Sequence, residues 1–157
     1  MSKHKRLENL ARELTGIARP KQDVPQLIFD ALTTFMPMVA VEIVVVNRRG
    51  EMLLIWREDR YWHGWHFPGG LLRFGESFEE RLQKTAQHEL GVKIKSHRFL
   101  MPKNYGRHER GHDVSLIYVC ELAGPPKHGK FFKTMPREII TVHKSLWQEV
   151  RKNISKK

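Results

Sequence analysis

Between Gly70 and Val92 the chain reads GLLRFGESFEERLQKTAQHELGV, a segment that contains both the start and the stop of a helix. Ser77 followed by Glu80 is a capping box: the hydroxyl serves one orphan backbone N–H and the carboxylate another. Phe78, Leu82, Ala86 and Leu90 recur every four residues and predict one buried stripe. Gly91 stands where a left-handed residue ends a helix. The spacing therefore predicts a helix over about 78–90. Off its apolar stripe, Arg81, Lys84, Thr85, His88 and Glu89 flank one another.

Ahead of this helix runs HFPGGLLRFGES, whose glycines and proline do not suit a helix or a central strand interior. Glycine lets backbone approach a ligand closely and can expose a carbonyl oxygen to a hard cation. A glycine loop followed by a carboxylate-bearing helix suits Mg²⁺ and a diphosphate. A capped amphipathic helix after a glycine-rich turn also occurs in many folds without a metal.

The register of these residues resembles the Nudix box, G-x5-E-x7-R-E-U-x-E-E-x-G-U with U apolar. Gly70, Glu76, Glu89, Gly91 and Val92 fall in place, preceded by Phe67-Pro68-Gly69. Lys84 takes the arginine position, and Thr85 and His88 replace two of the glutamates. The resemblance implies a metal-dependent hydrolase with altered equipment, Mg²⁺ (or Mn²⁺) as cofactor, and an α/β (α+β) fold: an α/β/α sandwich with a mixed sheet. Residues 1–36 are expected to form an N-terminal helical extension and 37–157 the Nudix-like domain, the whole making one compact unit.

The pattern of loss is similar to that of GDP-mannose mannosyl hydrolase, a subfamily with a shortened box that keeps the last glutamate. Pro37–Glu42, Asn47–Glu51, Leu53-Leu54, Arg57, Trp65 and Phe67–Gly70 look like that family's N-terminal half. The resemblance covers about residues 26–95. It implies that the Gly69 carbonyl and Glu89 bind the metal, that Arg57 contacts the diphosphate, that Glu42 contacts the sugar and that Lys84 orients the site. Leu71 stands where the family has an arginine. The family's late-loop histidine base has no counterpart in register; Glu138 of Pro136-Arg137-Glu138-Ile139 is the nearest candidate, and His108, His112 and His143 are others. His88 is a further candidate ligand, although Mg²⁺ prefers oxygen. Tyr61, Trp62, His63, His66 and Tyr105 offer rings on which a base could stack.

These readings imply Mg²⁺-dependent hydrolysis of a nucleoside-diphosphate sugar to NDP and free sugar. The alternatives are attack at phosphorus on a nucleoside diphosphate derivative, and a catalytically weak module that binds nucleotide, RNA or protein.

Composition agrees with a globular protein. The 157 residues are 40% hydrophobic and suffice for one domain with a real core. The single cysteine, Cys120, lies in an apolar run and reads as a small buried hydrophobe. The start MSKHKRLENLAREL has no apolar signal region, so a cytoplasmic protein is expected. MPMVAVEIVVV is too short to span a membrane and carries Glu42, so no membrane partner is expected. Net charge is +11, with basic residues clustered only at the ends (Lys3, Lys5, Arg6; Arg151, Lys152, Lys156, Lys157). That distribution favours solubility and steering of an anionic small molecule over nucleic-acid binding, and leaves room for a homodimer.

Along the chain, helical spacing is expected over Leu7–Ile17 and Leu27–Phe35, and strands over 39–47, 51–56, 65–67, 97–101, 114–122 and 138–142. A polar loop is expected over 102–113, a turn-rich connection over 124–130 and a terminal helix over 146–154 with a basic tail.

Overall fold

The β-branched run after Pro37 becomes the central strand in the computed structural model, which describes residues 1–154. The elements follow in the order α1 (Lys3–Ile17), α2 (Gln26–Leu32), β1 (Met38–Val44), β2 (Met52–Glu58), β3 (His63–His66), β4 (Gly69–Leu71), α3 (Phe78–Thr85), β5 (Ile94–His108), β6 (Gly111–Leu122), β7 (Lys130–Phe132) and α4 (Thr141–Ile154). A π-helical turn over Ala86–Leu90 continues α3. One sheet has the order β4-β1-β6-β5, the other β3-β2-β7. β1 and β6 are parallel, with Met38 opposite Asp113; the remaining pairs are antiparallel.

Alternation along β1 builds the layers, because successive side chains leave a strand on opposite faces. Val41 and Ile43 join Leu82, Ala86 and Leu90 of the α3 helix. Val44 joins Leu146, Trp147 and Val150 of α4. The two helices thus cover opposite faces of a mixed sheet, as expected of an α/β/α sandwich. The capping box forms in full, with Ser77 accepting from the Glu80 N–H and Glu80 from the Ser77 N–H. Gly91 ends the helix in the left-handed region at φ 65°. Phe78, placed on the buried stripe by its spacing, is instead 43% exposed at the helix start. Cys120 is buried and free.

Several expectations need correction. The polar stretch 102–113 is no loop: it extends β5 and β6 into a long hairpin. Its polar side chains have somewhere to point, and register shifts at Phe99/Met101 and Asn104/Gly106 bend it over the sheet. The glycine segment contributes β4, an edge strand, where interior glycine costs least. β7 follows the turn-rich connection by pairing with β2. The apolar residues Ile139 and Ile140 read as a strand but make a single bridge to Trp65, and α4 starts at Thr141, earlier than expected. Lys156 and Lys157 of the basic tail lie outside the described residues. The apolar stripe of α1 is formed as a helix, yet α1 contains no buried residue. Among the described residues no helix is long and apolar enough to cross a membrane.

Candidate active site

Strands of both sheets and two helices meet at a cavity of about 350 Å³. β1 contributes Glu42, β4 the glycines Gly69 and Gly70, the α3 helix Thr85, His88 and Glu89, and the β5–β6 hairpin Tyr105 and Asp113.

The glycine loop meets the helix through one bond. The Gly69 N–H donates to Glu89 Oε2 at 2.8 Å. Burial pushes the Glu89 carboxyl up to about 7, against the opposing pull of that hydrogen bond and of Arg57. Next door, Gly70 has no room for a side chain: a Cβ would lie 2.6 Å from Thr85 Oγ1 and 3.2 Å from Arg81 Cδ. Thr85 Oγ1 is buried and has no hydrogen-bond partner among the described residues.

Glu76 is a structural anchor. Arg81 grips it with Nε and Nη2 at 2.7 and 2.6 Å, Lys84 Nζ donates at 2.8 Å, and the Arg73 N–H at 2.9 Å. Burial alone would raise its pKa, but the bonds from Lys84 and Arg81 outweigh it and hold the carboxyl down to about 2. A two-pronged guanidinium–carboxylate pair of this kind fixes geometry as well as charge.

Opposite Glu89 lies a second buried group. Glu42 Oε1 accepts from the Tyr105 hydroxyl at 2.8 Å, and Oε2 lies 3.4 Å from His143 Nε2. Burial pushes Glu42 up to about 7, opposed by bonds from Ser115 and Tyr105. His143 Nδ1 accepts the Phe67 N–H at 3.0 Å. That bond requires an unprotonated Nδ1, so the neutral ring carries its hydrogen on Nε2, toward Glu42. Burial, reinforced by neighbouring His66 and Arg57, holds His143 well below the ordinary histidine value. Burial likewise lowers His66 to about 3.

Five of the six residues singled out from the sequence line this one cavity: Glu42, Arg57, Gly69, Lys84 and Glu89. Lys84 also pairs with Glu76, and Arg57 Nε donates to Asp59 at 2.5 Å. Glu138 does not join them. Its side chain is exposed, and it contributes a backbone carbonyl that accepts the Trp65 N–H. Leu71, which stands where the resembled family has an arginine, lines the cavity, while Arg73, Arg81 and Arg110 bring cations from other positions. Sequence reasoning missed the grip of Arg81 on Glu76, although a five-residue offset from helix to preceding loop was there to be read. It also missed the Arg110–Asp113 pair, hidden in the stretch taken for a loop.

Among the described residues no three His, Cys, Asp or Glu side chains are arranged to hold a metal ion. The donor set therefore does not fit a multi-carboxylate cluster. Glu89 and the backbone oxygens of the glycine loop are donors of the type that a hard divalent cation takes.

Residues 36–156 match the family model described as NUDIX domain. The chain is 31% identical over 77 residues to the low-salt glycan biosynthesis protein Agl8 of Haloferax volcanii, covering 48% of this chain and 49% of that protein. It is 29% identical over 90 residues to an ADP-ribose pyrophosphatase of Methanocaldococcus jannaschii, covering 56% and 53%. The match thus spans about half the length of these curated relatives. Among solved structures, the MutT NUDIX hydrolase from Burkholderia pseudomallei superimposes with a TM-score of 0.62 at 18% identity, covering 76% of this chain and 98% of that one. The NUDIX domain of Shewanella oneidensis NrtR, complexed with ADP ribose, does so with 0.59 at 17% identity, covering 83% and 99%. On its sequence and its fold, this chain belongs to the Nudix family.

Proposed function

We propose that this protein is a hydrolase of a nucleoside diphosphate joined to a sugar, with water attacking the anomeric carbon and NDP departing. The observation that carries this reading is the state of the two box carboxylates. Glu76 is fully engaged by Arg81 and Lys84, which leaves Glu89 as the one box carboxylate that lines the cavity, beside Glu42 and Asp113 from the sheet. One carboxylate suits the neutralisation of a leaving diphosphate better than a multi-metal attack at phosphorus. A bound divalent cation, held by Glu89 and Gly69, would supply that neutralisation. Two curated relatives support a reading in terms of sugars: one is named for glycan biosynthesis, the other as a pyrophosphatase of ADP-ribose.

The chain's own groups divide the remaining work. Arg57 and Lys84 hold the diphosphate, and Glu42, positioned by Tyr105, faces the sugar. The proton leaving the attacking water needs an acceptor on the cavity wall. His143 has no free lone pair, His66 is buried, His108 lies against Asp113 at 3.2 Å, and Glu138 is outside. His88, exposed on the π-helical turn beside Glu89, is the imidazole left for the role. In the balanced step a water O–H bond breaks and its proton goes to His88; the oxygen bonds to the anomeric carbon; the carbon–oxygen bond to the diphosphate breaks with its electron pair on NDP. Residues 1–36, which precede the bulk of the family match, form a separate helical extension in this reading.

A second reading, attack at phosphorus, draws its support from the relative named as a pyrophosphatase. Hydrolysis of GDP-mannose, whose diphosphate sits on the anomeric carbon, in ¹⁸O-labelled water with Mg²⁺ separates the two. Free mannose with GDP that carries no label is the expected result, and label in a phosphate product would overturn it.

A further inference from the structure

We propose that Arg110 and Asp113 form a hydroxyl-reading site in the cavity wall, which takes a hydroxyl of the sugar joined to the diphosphate. The proposal rests on the nucleotide-sugar reading above and adds the part of the substrate that the site selects.

Asp113 sits on β6 opposite Met38 of β1 and is only 5% exposed. Its two oxygens are treated differently. Oδ2 takes the Arg110 Nη2–H and also lies 3.2 Å from His108 Nε2. Oδ1 is buried and has no hydrogen-bond partner among the described residues, and the same holds for Arg110 Nε. Two orphan polar atoms in one ion pair need an explanation, since buried polar groups in folded proteins are almost always satisfied. Both side chains line the cavity, so a ligand seated there lies beside this pair.

What fits is set by the chemistry of the two atoms. Oδ1 needs a donor and Nε–H needs an acceptor. A phosphate oxygen would be repelled by Asp113, and an apolar group would leave both atoms unpaired. A hydroxyl donates and accepts at once, so one hydroxyl can satisfy the pair. The cluster is also held rigid. Trp62 packs on His108 with ring centroids 5.4 Å apart, and His108 in turn abuts Asp113. His108 and Arg110 also border a second cavity of about 560 Å³ on their other side. Asp113 and Arg110 further act on the charge of Glu42, the group already facing the sugar. A site built to hydrogen-bond a hydroxyl discriminates strongly against a ligand that lacks it, because its own polar groups are then left unpaired.

The test is equilibrium binding by calorimetry, with Ca²⁺ in place of Mg²⁺ to suppress turnover. The ligand pairs are GDP with GDP-mannose and ADP with ADP-ribose. In Asp113→Asn, the NDP-sugar that the wild type binds should lose at least fivefold in affinity. The matching NDP should bind as before or more tightly, since a negative charge has left the cavity. Should the asparagine variant fail to fold, Arg110→Lys keeps the charge, moves the donor and is read the same way. Parallel loss for NDP and NDP-sugar would assign the pair to the nucleoside or to the fold and overturn the proposal, as would no change for either ligand. A wild type that binds no nucleotide removes the nucleotide-sugar reading and this site with it. A wild type that binds NDP-sugar but never cleaves it ends the hydrolase reading alone.

Discussion

The backbone N–H of Phe67 donates to Nδ1 of His143 at 3.0 Å, joining the start of the glycine loop to the first turn of the last helix. A single imidazole therefore fixes where the loop enters the cavity, and it does so only in its neutral form. In His143→Leu the Phe67 N–H is left buried without an acceptor. The cost should be about 1–3 kcal/mol of stability, read by denaturant unfolding. Because the wild-type ring stays neutral, the acid limb of the activity profile should not report it. His88→Gln should lower turnover by about 10²-fold or more, and undiminished turnover in this variant would exclude His88 as the proton acceptor.

Glu42 and His66 pull stability in opposite directions with pH. The folded pKa of Glu42 is raised from 4.5 to about 7, so its contribution is greatest at low pH and is lost as pH rises through that window. His66 is lowered from 6.5 to about 3, so its contribution is present above 6.5 and lost as pH falls toward 3. Between about pH 5 and 6.5 the two slopes oppose each other. Glu42→Gln removes the first and leaves the second. The variant should be more stable than wild type near pH 8, and its further loss on acidification to about pH 5 should exceed wild type's by on the order of 2 kcal/mol. Thermal unfolding at both pH values checks the sign.

Much of this core site could be read from the sequence because its chemistry is local. Ser77 and Glu80 are three residues apart, and their capping bonds follow from spacing alone. Gly69 and Glu89 were reachable only through the family pattern, since nothing local says that a loop N–H will meet that carboxylate. The hairpin was misread because alternation is weak where both faces are polar. Lys103, Asn104, Arg107 and His112 look like solvent-facing loop residues, and only the pairing of β5 with β6 makes them strand. Phe67 and His143 meet across most of the domain, a contact that no periodicity encodes. Glu138 has the late-loop position of a base candidate, and the fold uses its carbonyl instead of its carboxylate.

Glu89→Gln keeps the side-chain shape and its contact with the Gly69 N–H while removing the charge. Turnover in Mg²⁺ should fall by about two orders of magnitude or more, and the Mg²⁺ concentration needed for half-maximal rate should rise. Treatment of the wild type with EDTA should abolish turnover, with Mg²⁺ restoring it. Full activity in the glutamine variant would remove Glu89 from the site.

Two arginines in the same cavity should behave differently. Arg81→Ala leaves Glu76 deprived of its main partner in a buried setting, so the loss should appear in stability, about 3 kcal/mol by denaturant unfolding. Arg57→Ala breaks a pair with Asp59 that is about a third exposed, and such pairs contribute ~0–1 kcal/mol. Its loss should appear instead in nucleotide affinity, by about 1.5–3 kcal/mol. Equal effects on stability and affinity in both variants would contradict this division.

The widened turn at Ala86–Leu90 solves a problem of phase. A stripe repeating every four residues drifts by roughly 40° per repeat on a helix of 3.6 residues per turn. Two repeats, from Leu82 through Ala86 to Leu90, would carry the last leucine well around the cylinder. The wider turn winds more slowly and takes back part of that drift. Leu90 therefore still reaches the core, and Glu89 still faces Gly69. The local winding acts as a timing correction that lets one helix serve two clocks, the packing repeat and the placement of its single free carboxylate. A one-residue deletion here would force a choice between them.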